Sequence, residues 1–115
     1  MNIPGNLKYT KDHEWVRIEG EMAVIGITDY AQNQLGDIVF IDIQTVGESL
    51  EKEEVFGAIE AVKTVADAFM PLSGTVEAMN EALESAPEMV NQDPYGEGWM
   101  IRIKISDPDQ IGGLL

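Results

Sequence analysis

The sequence has no cysteine and only one histidine. Without cysteine the protein forms no disulfide, no thiolate nucleophile and no thiolate-ligated metal site, so any sulfur redox chemistry must come from an added group. A zinc site needs several converging His, Cys or carboxylate ligands, and the lone His13 cannot supply them. We therefore expect no metal, and we interpret His13 as a structural or surface residue.

Positive charge is also scarce, since seven Lys and Arg residues stand against 21 Asp and Glu residues and give a net charge of -14. Such a surface repels phosphate backbones and anionic lipid headgroups, so we expect neither nucleic acid nor membrane as a partner. The acidic surface serves either solubility alone or the attraction of basic patches on partner proteins. Net charge does not choose between these two roles.

Long apolar runs are absent as well. No stretch approaches membrane-spanning length, and residues 1–6 lack the basic start and apolar stretch of a secretory signal, so we expect a cytoplasmic protein. The 115 residues are expected to form one domain, residues 1–115, because two halves would each have too small a core. We expect a monomer.

Short β-compatible runs separated by turns make up most of the chain. Two runs, 15–18 and 22–25, flank Gly20 and predict a hairpin, and Thr28 can cap a short helix that Gly36 ends. The apolar run 37–46 predicts a central strand covered on both faces. About seven short strands and at most two small helices predict a mainly β fold, a sandwich or flattened barrel, and residues 107–113 leave almost no room for another helix.

The segment 55–70 places Lys63 near a hairpin tip. Apolar residues alternate along 55–62, a second β-compatible run follows at 64–70, and no other cation lies between Lys52 and Arg102. A lysine at such a tip is accessible to a modifying enzyme and could carry an attached group over a wide arc; the alternative is an ordinary solubilising charge. No nucleophile with a base, metal cluster or phosphate loop is found, so we predict no catalytic residues and no enzyme.

The residues before Lys63 resemble the lipoyl-attachment motif of glycine cleavage H proteins. The motif reads Phe56-Gly57-Ala58-Ile59-Glu60-Ala61-Val62-Lys63. Further blocks resemble the same family in the same order and extend the resemblance over about residues 9–105: His13-Glu14-Trp15-Val16, Gly26-Ile27-Thr28-Asp29, Leu35-Gly36-Asp37-Ile38-Val39-Phe40, Pro71-Leu72-Ser73-Gly74, Val90-Asn91 and Pro94-Tyr95-Gly96-Glu97-Gly98-Trp99.

The resemblance implies the biotinyl/lipoyl hammerhead fold, two small antiparallel sheets packed together, with lipoate joined to Lys63 through an amide. A lipoate-attaching enzyme would form that amide. In the family, glycine decarboxylase loads an aminomethyl group onto the arm, aminomethyltransferase passes the carbon to tetrahydrofolate, and dihydrolipoamide dehydrogenase reoxidises the arm. The carrier itself catalyses none of these steps.

The resemblance also assigns supporting residues. Glu60 is the candidate for recognition by the lipoylating enzyme, or else an ordinary outward-facing residue, and Glu14 and Asp67 would line the cleft that receives the loaded, cationic arm. Two departures bear on the partner set: Ala61 stands where the family usually has serine, and the sequence ends at Leu115, before the usual C-terminal helical extension. A specialised carrier for lipoate relay or sulfur metabolism, and a non-lipoylated interaction module of the same fold, remain as alternatives.

Overall fold

The structure is a computed structural model that describes residues 7–115. Residues 1–6, on which the expectation about a secretory signal rests, lie outside the described residues. The described part contains nine strands, three short α-helices and one 3-10 helix. The strands are β1 (Lys8–Tyr9), β2 (Glu14–Glu19), β3 (Met22–Ile27), β4 (Ile38–Asp42), β5 (Ser49–Leu50), β6 (Val55–Ala61), β7 (Val65–Phe69), β8 (Gly74–Met79) and β9 (Ile101–Ile105). The α-helices are α1 (Asp29–Leu35), α2 (Ala82–Ser85) and α3 (Met89–Gln92).

The strands form two antiparallel sheets, as predicted. One sheet has six strands in the order β1-β2-β3-β9-β8-β5, and the other has three in the order β4-β6-β7. The two sheets do not close into a barrel, so the sandwich alternative is the correct one. The prediction of about seven strands fell short because β1 and β5 have two residues each, too few to show an alternating pattern.

The main core lies between the two sheets. Ile25 and Ile103 of the larger sheet and Ile41 and Ile59 of the smaller one belong to a single cluster of buried side chains. A second, smaller cluster on the larger sheet consists of Leu7, Trp15 and Val24. Because the main cluster takes residues from both sheets, burial of apolar surface there holds the smaller sheet against the larger one.

The local turn and capping predictions are confirmed. Gly20 has a φ of 65° in the turn between β2 and β3. The Thr28 hydroxyl accepts a hydrogen bond from the backbone N–H of Ala31 at 3.1 Å and caps α1. Gly36 ends the helix with a φ of 79°, and its N–H donates to the carbonyl of Gln32 at 2.9 Å. These residues fix where α1 begins and ends.

The prediction that the run 37–46 forms a central strand is wrong. β4 is an edge strand of the smaller sheet, and Val39 and Phe40 are 53% and 46% exposed. The register of β4 against β6 shifts between Ile38 and Phe40, a β-bulge that turns two adjacent apolar side chains outward. The run is therefore apolar along its length although only part of it is buried.

The chain also forms a further short helix where almost no room for one was predicted. A 3-10 helix spans Pro108–Gly113, and the Asp107 side chain accepts a hydrogen bond from the N–H of Asp109 at its start. Proline at the first position fits this helix because its missing N–H would have no partner there. Within residues 7–115, no helix is long and apolar enough to cross a membrane.

Candidate functional site

Lys63 lies in the short turn between β6 and β7, at the tip of that hairpin. The Ala61 N–H donates to the carbonyl of Thr64 at 2.8 Å and closes the turn. The Val62 N–H donates to the carbonyl of Asp37 at 3.0 Å, which ties the turn to the residue that precedes β4. The lysine is thus presented on a backbone that is held on two sides.

The Lys63 side chain is exposed, and its ammonium forms no ion pair with any residue in the described range 7–115. Its alkyl chain passes beside Gly36, where an added Cβ would lie 3.5 Å from the Lys63 Cε. The lysine side chain therefore lies beside the residue that ends α1. The Lys63 amine is free to react, and in this structure it lies near the end of α1.

Asn91 fixes the end of α1 relative to the start of β4. Its Nδ2 donates to the carbonyl of Gly36 at 2.8 Å and to Gln32 Oε1 at 2.9 Å, while its Oδ1 accepts from the N–H of Ile38 at 2.9 Å. These bonds hold the segment on which both the Val62 N–H and the Lys63 side chain rest. No role was predicted for Asn91 from the sequence, and the one indication was its place in a block that resembles the family.

A cleft of about 190 Å³ lies between α1 and the edge strand β7, and we call it the α1–β7 cleft. Leu35, Ile59 and Ala66 form apolar parts of its wall, and Glu14 and Asp67 also line it. Leu35 directly precedes Gly36, so one end of the cleft lies next to the Lys63 side chain. The cleft therefore offers apolar surface near the lysine and carboxyl groups as well.

Glu14 is buried, with 2% of its surface exposed. One carboxyl oxygen accepts from the N–H of Phe69 at 2.8 Å, and the other accepts from the Thr10 hydroxyl at 3.0 Å. Burial raises the pKa of Glu14 to about 7, although the two hydrogen bonds oppose that rise. Near neutral pH this carboxyl is present in both its neutral and its charged form.

The other residues of interest lie on different surfaces. Asp67 is exposed on the edge strand β7, at the rim of the α1–β7 cleft. Glu60 is half-buried and lies on the opposite face of the smaller sheet from Ile59. The structure thus brings Glu14 and Asp67 to one cleft and separates Glu60 from it.

Ala61, where the family usually has serine, points into the core. It is 8% exposed and pairs with Ile38 of β4. This departure changes the interior of the smaller sheet and leaves the outer surface beside Lys63 unaltered.

His13 also lines the α1–β7 cleft, and its ring packs against Tyr30 with the ring centroids 4.6 Å apart. Its φ is 63°, so it occupies a left-handed turn conformation before β2. Among the described residues, no three His, Cys, Asp or Glu side chains are grouped so that they could hold a metal ion. His13 is an exposed turn residue whose ring contacts Tyr30.

Comparison with known proteins links this arrangement to one family. The family model described as glycine cleavage H-protein matches residues 7–115. The chain is 62% identical over 115 residues to the glycine cleavage system H protein of Bacteroides thetaiotaomicron, covering 100% of this chain and 91% of that one. It is 59% identical to the protein of the same name from Bacteroides fragilis, with the same coverage.

A solved structure is also similar. The crystal structure of a glycine cleavage system H protein from Mycobacterium marinum matches with a TM-score of 0.84 and 35% sequence identity, covering 96% of this chain and 98% of that one. The similarity therefore spans the smaller sheet, the turn at Lys63 and the α1–β7 cleft together.

Proposed function

The chain belongs to the glycine cleavage H-protein family, whose members carry lipoate, and we propose that it works as such a carrier with the lipoyl group joined to Lys63. The observation that carries the proposal is the free Lys63 amine on a firmly held turn, directly beside the α1–β7 cleft. A carrier needs an attachment point that an enzyme can reach and a surface that can shelter the load. Both requirements are met within one hairpin and the adjoining helix.

The absence of an ion pair at Lys63 suits acylation. Amide formation removes the positive charge, and a carboxylate paired with the ammonium would then be left without its partner. Lys63 has no such partner among residues 7–115, so its conversion to an amide costs no existing contact. In the reaction, the deprotonated Nζ would attack the carbonyl carbon of an enzyme-bound acyl adenylate, AMP would leave, and the proton would pass to solvent.

When attached, the lipoyl group supplies the dithiol and disulfide sulfur that this chain lacks. The α1–β7 cleft fits an alkyl arm because Leu35, Ile59 and Ala66 offer apolar surface next to Lys63. Glu14 and Asp67 favour a positive charge on the load, since a carboxylate attracts a nearby cation. The cleft would therefore hold a cationic aminomethyl load more strongly than an uncharged arm.

We propose glycine decarboxylase, aminomethyltransferase and dihydrolipoamide dehydrogenase as the enzymes that the arm visits, and a lipoate-attaching enzyme as the one that loads Lys63. The net charge of -14 supports partners with basic docking surfaces. Glu60 is proposed as a recognition residue for the attaching enzyme because its carboxylate has no partner among residues 7–115. We further propose that residues 1–115 act as a single-domain monomer in the cytoplasm, without catalysing a step.

Intact mass measurement tests the attachment. Protein from a host able to attach lipoate should gain the mass of one lipoyl group, and Lys63→Ala should gain none. The matched control is Lys52→Ala, which removes another exposed lysine and should still be modified. A wild-type protein that never gains this mass, or a Lys63→Ala protein that does, would contradict the proposal.

Reconstitution tests the partner set. The lipoylated chain should support carbon dioxide release from glycine when the three proposed partner enzymes are supplied. A lipoylated chain that fails with active partners would instead indicate a specialised carrier, for example in lipoate relay or sulfur metabolism. Full biological activity of Lys63→Arg would indicate a non-lipoylated interaction module.

A further inference from the structure

Apolar side chains are exposed on the outer face of the smaller sheet beside Lys63. Val62 is 74% exposed in the turn and Val65 is 63% exposed at the start of β7. Val39 and Phe40 of the bulged strand β4 are also exposed. We call these four residues, Val39, Phe40, Val62 and Val65, the tip patch.

The strand register makes the tip patch continuous. Phe40 pairs with Glu60, and Glu60 pairs with Val65, so the three side chains form one row across the sheet on the face away from the core. The next row on the same face consists of Asp42, Ala58 and Asp67. The acidic side chains of this row separate the tip patch from the next apolar pair on the same face, Val55 and Phe69, at the far end of the hairpin.

We propose that the tip patch is the docking surface for the enzyme that acylates Lys63. This inference rests on the proposed function, because it presupposes that Lys63 is acylated. An exposed apolar cluster on so strongly charged a chain is costly for solubility unless a partner covers it. The position of the cluster beside the reactive amine indicates which partner that is.

Reach distinguishes the acylating enzyme from the other partners. Before acylation, only the lysine side chain extends from the turn, so the enzyme must bring its active site within one side-chain length of the backbone at residue 63. Its surface must then contact the residues around the turn. Enzymes that act on the far end of an attached arm do not need this contact, because the arm crosses the gap for them.

Charge on the patch indicates the chemistry of the docking surface. Glu60 lies in the middle of the apolar row without a hydrogen-bond or ion-pair partner among residues 7–115. Asp42 and Asp67 lie in the next row of the same face, and Asp37 directly precedes β4. The surface of the acylating enzyme that covers the tip patch is therefore expected to be apolar, with basic groups that reach Glu60 and the surrounding aspartates.

The tip patch lies on the outer face of the hairpin and the apolar wall of the α1–β7 cleft lies on the inner face, while Asp67 of the edge strand belongs to the outer face and reaches the rim of the cleft. Ile59 and Ala66 contribute to the cleft, whereas Glu60 and Val65 form the outer row. An enzyme bound to the tip patch therefore leaves the cleft open. The amine must then leave its resting position beside Gly36 to enter the enzyme.

Acylation kinetics test the docking surface. The assay supplies lipoate, ATP and a purified lipoate–protein ligase, and it follows the mass of the full chain. Phe40→Thr/Val65→Thr should raise KM at least tenfold with little change in kcat, because docking is weakened while the amine is unaltered. Threonine is β-branched and favoured in strands, and both positions are exposed, so the fold should persist.

The matched control is Val46→Thr/Val55→Thr, which alters two exposed valines outside the patch. Val55 begins β6, six residues before Ala61 and roughly 20 Å from the tip at the usual rise per strand residue. This variant should have the wild-type KM within about twofold. Thermal unfolding of both variants checks that they are folded, and Val65→Thr alone serves if the double variant is not.

A competition experiment separates docking from chemistry. Lys63→Arg cannot form the amide, yet it retains the tip patch, so it should inhibit acylation of the wild-type chain. Adding Phe40→Thr/Val65→Thr to Lys63→Arg should weaken that inhibition at least tenfold, while adding Val46→Thr/Val55→Thr should not. Rising salt should weaken the inhibition by Lys63→Arg, because salt screens the attraction between basic groups of the enzyme and the carboxylates of Glu60, Asp42 and Asp67.

The outcomes distinguish this inference from the proposed function. A wild-type chain that is never acylated at Lys63 overturns the proposed function and the docking surface with it. Normal acylation at Lys63 with an unchanged KM in Phe40→Thr/Val65→Thr overturns the docking surface alone. A dimer of the wild-type chain that these substitutions dissociate would assign the patch to a second copy and also overturn it.

Discussion

Replacing Glu14 with glutamine should remove a pH dependence of stability that is built into the α1–β7 cleft. The buried carboxyl accepts hydrogen bonds from the Phe69 N–H and the Thr10 hydroxyl. Glutamine retains an oxygen for Phe69, but its amide nitrogen meets the Thr10 hydroxyl, which already accepts from two backbone N–H groups. The substitution therefore changes the absolute stability by an amount that does not depend on pH, and it removes a titrating group.

The sign follows from the pKa of Glu14, which burial raises from 4.5 to about 7. Between these two pH values the folded state binds the proton more tightly than the unfolded state, so the free energy of unfolding falls as the pH rises. One pKa unit corresponds to about 1.36 kcal/mol, so the total fall is about 3 kcal/mol. The stabilisation of the protonated form is complete below pH 4.5 and is lost as the pH passes about 7.

Urea unfolding at a series of pH values measures this effect for both proteins. All other titrating groups are shared, so the free energy of unfolding of Glu14→Gln minus that of the wild type should rise by about 3 kcal/mol from acidic to neutral pH. The control is Glu77→Gln, which removes one negative charge at an exposed position. A difference for Glu14→Gln that stays constant over this range would show that the pKa of Glu14 is not raised in the folded protein.

Two further substitutions test the packing of the larger sheet and the support of the Lys63 turn. Gly26→Ala should lower the free energy of unfolding in urea by about 1–3 kcal/mol, because the new Cβ would lie 2.6 Å from Trp15 Nε1. The control is Gly112→Ala, whose Cβ would meet nothing within 4 Å and which should be nearly neutral. Asn91→Ala should lower the free energy of unfolding by about 2–3 kcal/mol, because three hydrogen bonds are lost at once. Hydrogen exchange at the Val62 amide should also become faster. Unchanged exchange at Val62 would show that Asn91 does not hold the turn.

Features set by a few adjacent residues could be predicted from the sequence. The turn at Gly20, the cap at Thr28 and the end of α1 at Gly36 each depend on the conformational preference or side-chain bond of one residue. The alternation along 55–62 placed Lys63 in a hairpin turn for the same reason, since period two is a local property of a strand. Two sheets also follow from many short antiparallel runs.

Features that depend on distant partners could not be predicted. Whether β4 is central or at an edge depends on which strands pair with it, and its bulge at Val39 has no local sequence pattern that marks it. The raised pKa of Glu14 depends on burial in the folded chain, which the sequence around residue 14 does not show, and the opposing hydrogen bond comes from Phe69, 55 residues away. The role of Asn91 likewise arises only when α3 packs near α1, because that packing brings the Asn91 side-chain amide to the carbonyl of Gly36.

The alternation that places Lys63 in the turn also separates two functions of the hairpin. Along β6, Ile59 and Ala61 face inward while Glu60 faces outward, so one strand provides both a wall of the α1–β7 cleft and the middle of the tip patch. A shift of one residue in the pairing would exchange these faces and expose the cleft side. The Val62 N–H bond to Asp37 opposes such a shift, because it fixes the turn to the segment that Asn91 holds. The register of this hairpin is therefore a functional requirement as well as a structural one: it keeps the surface proposed for acylation apart from the surface proposed to shelter the load, with Lys63 between them.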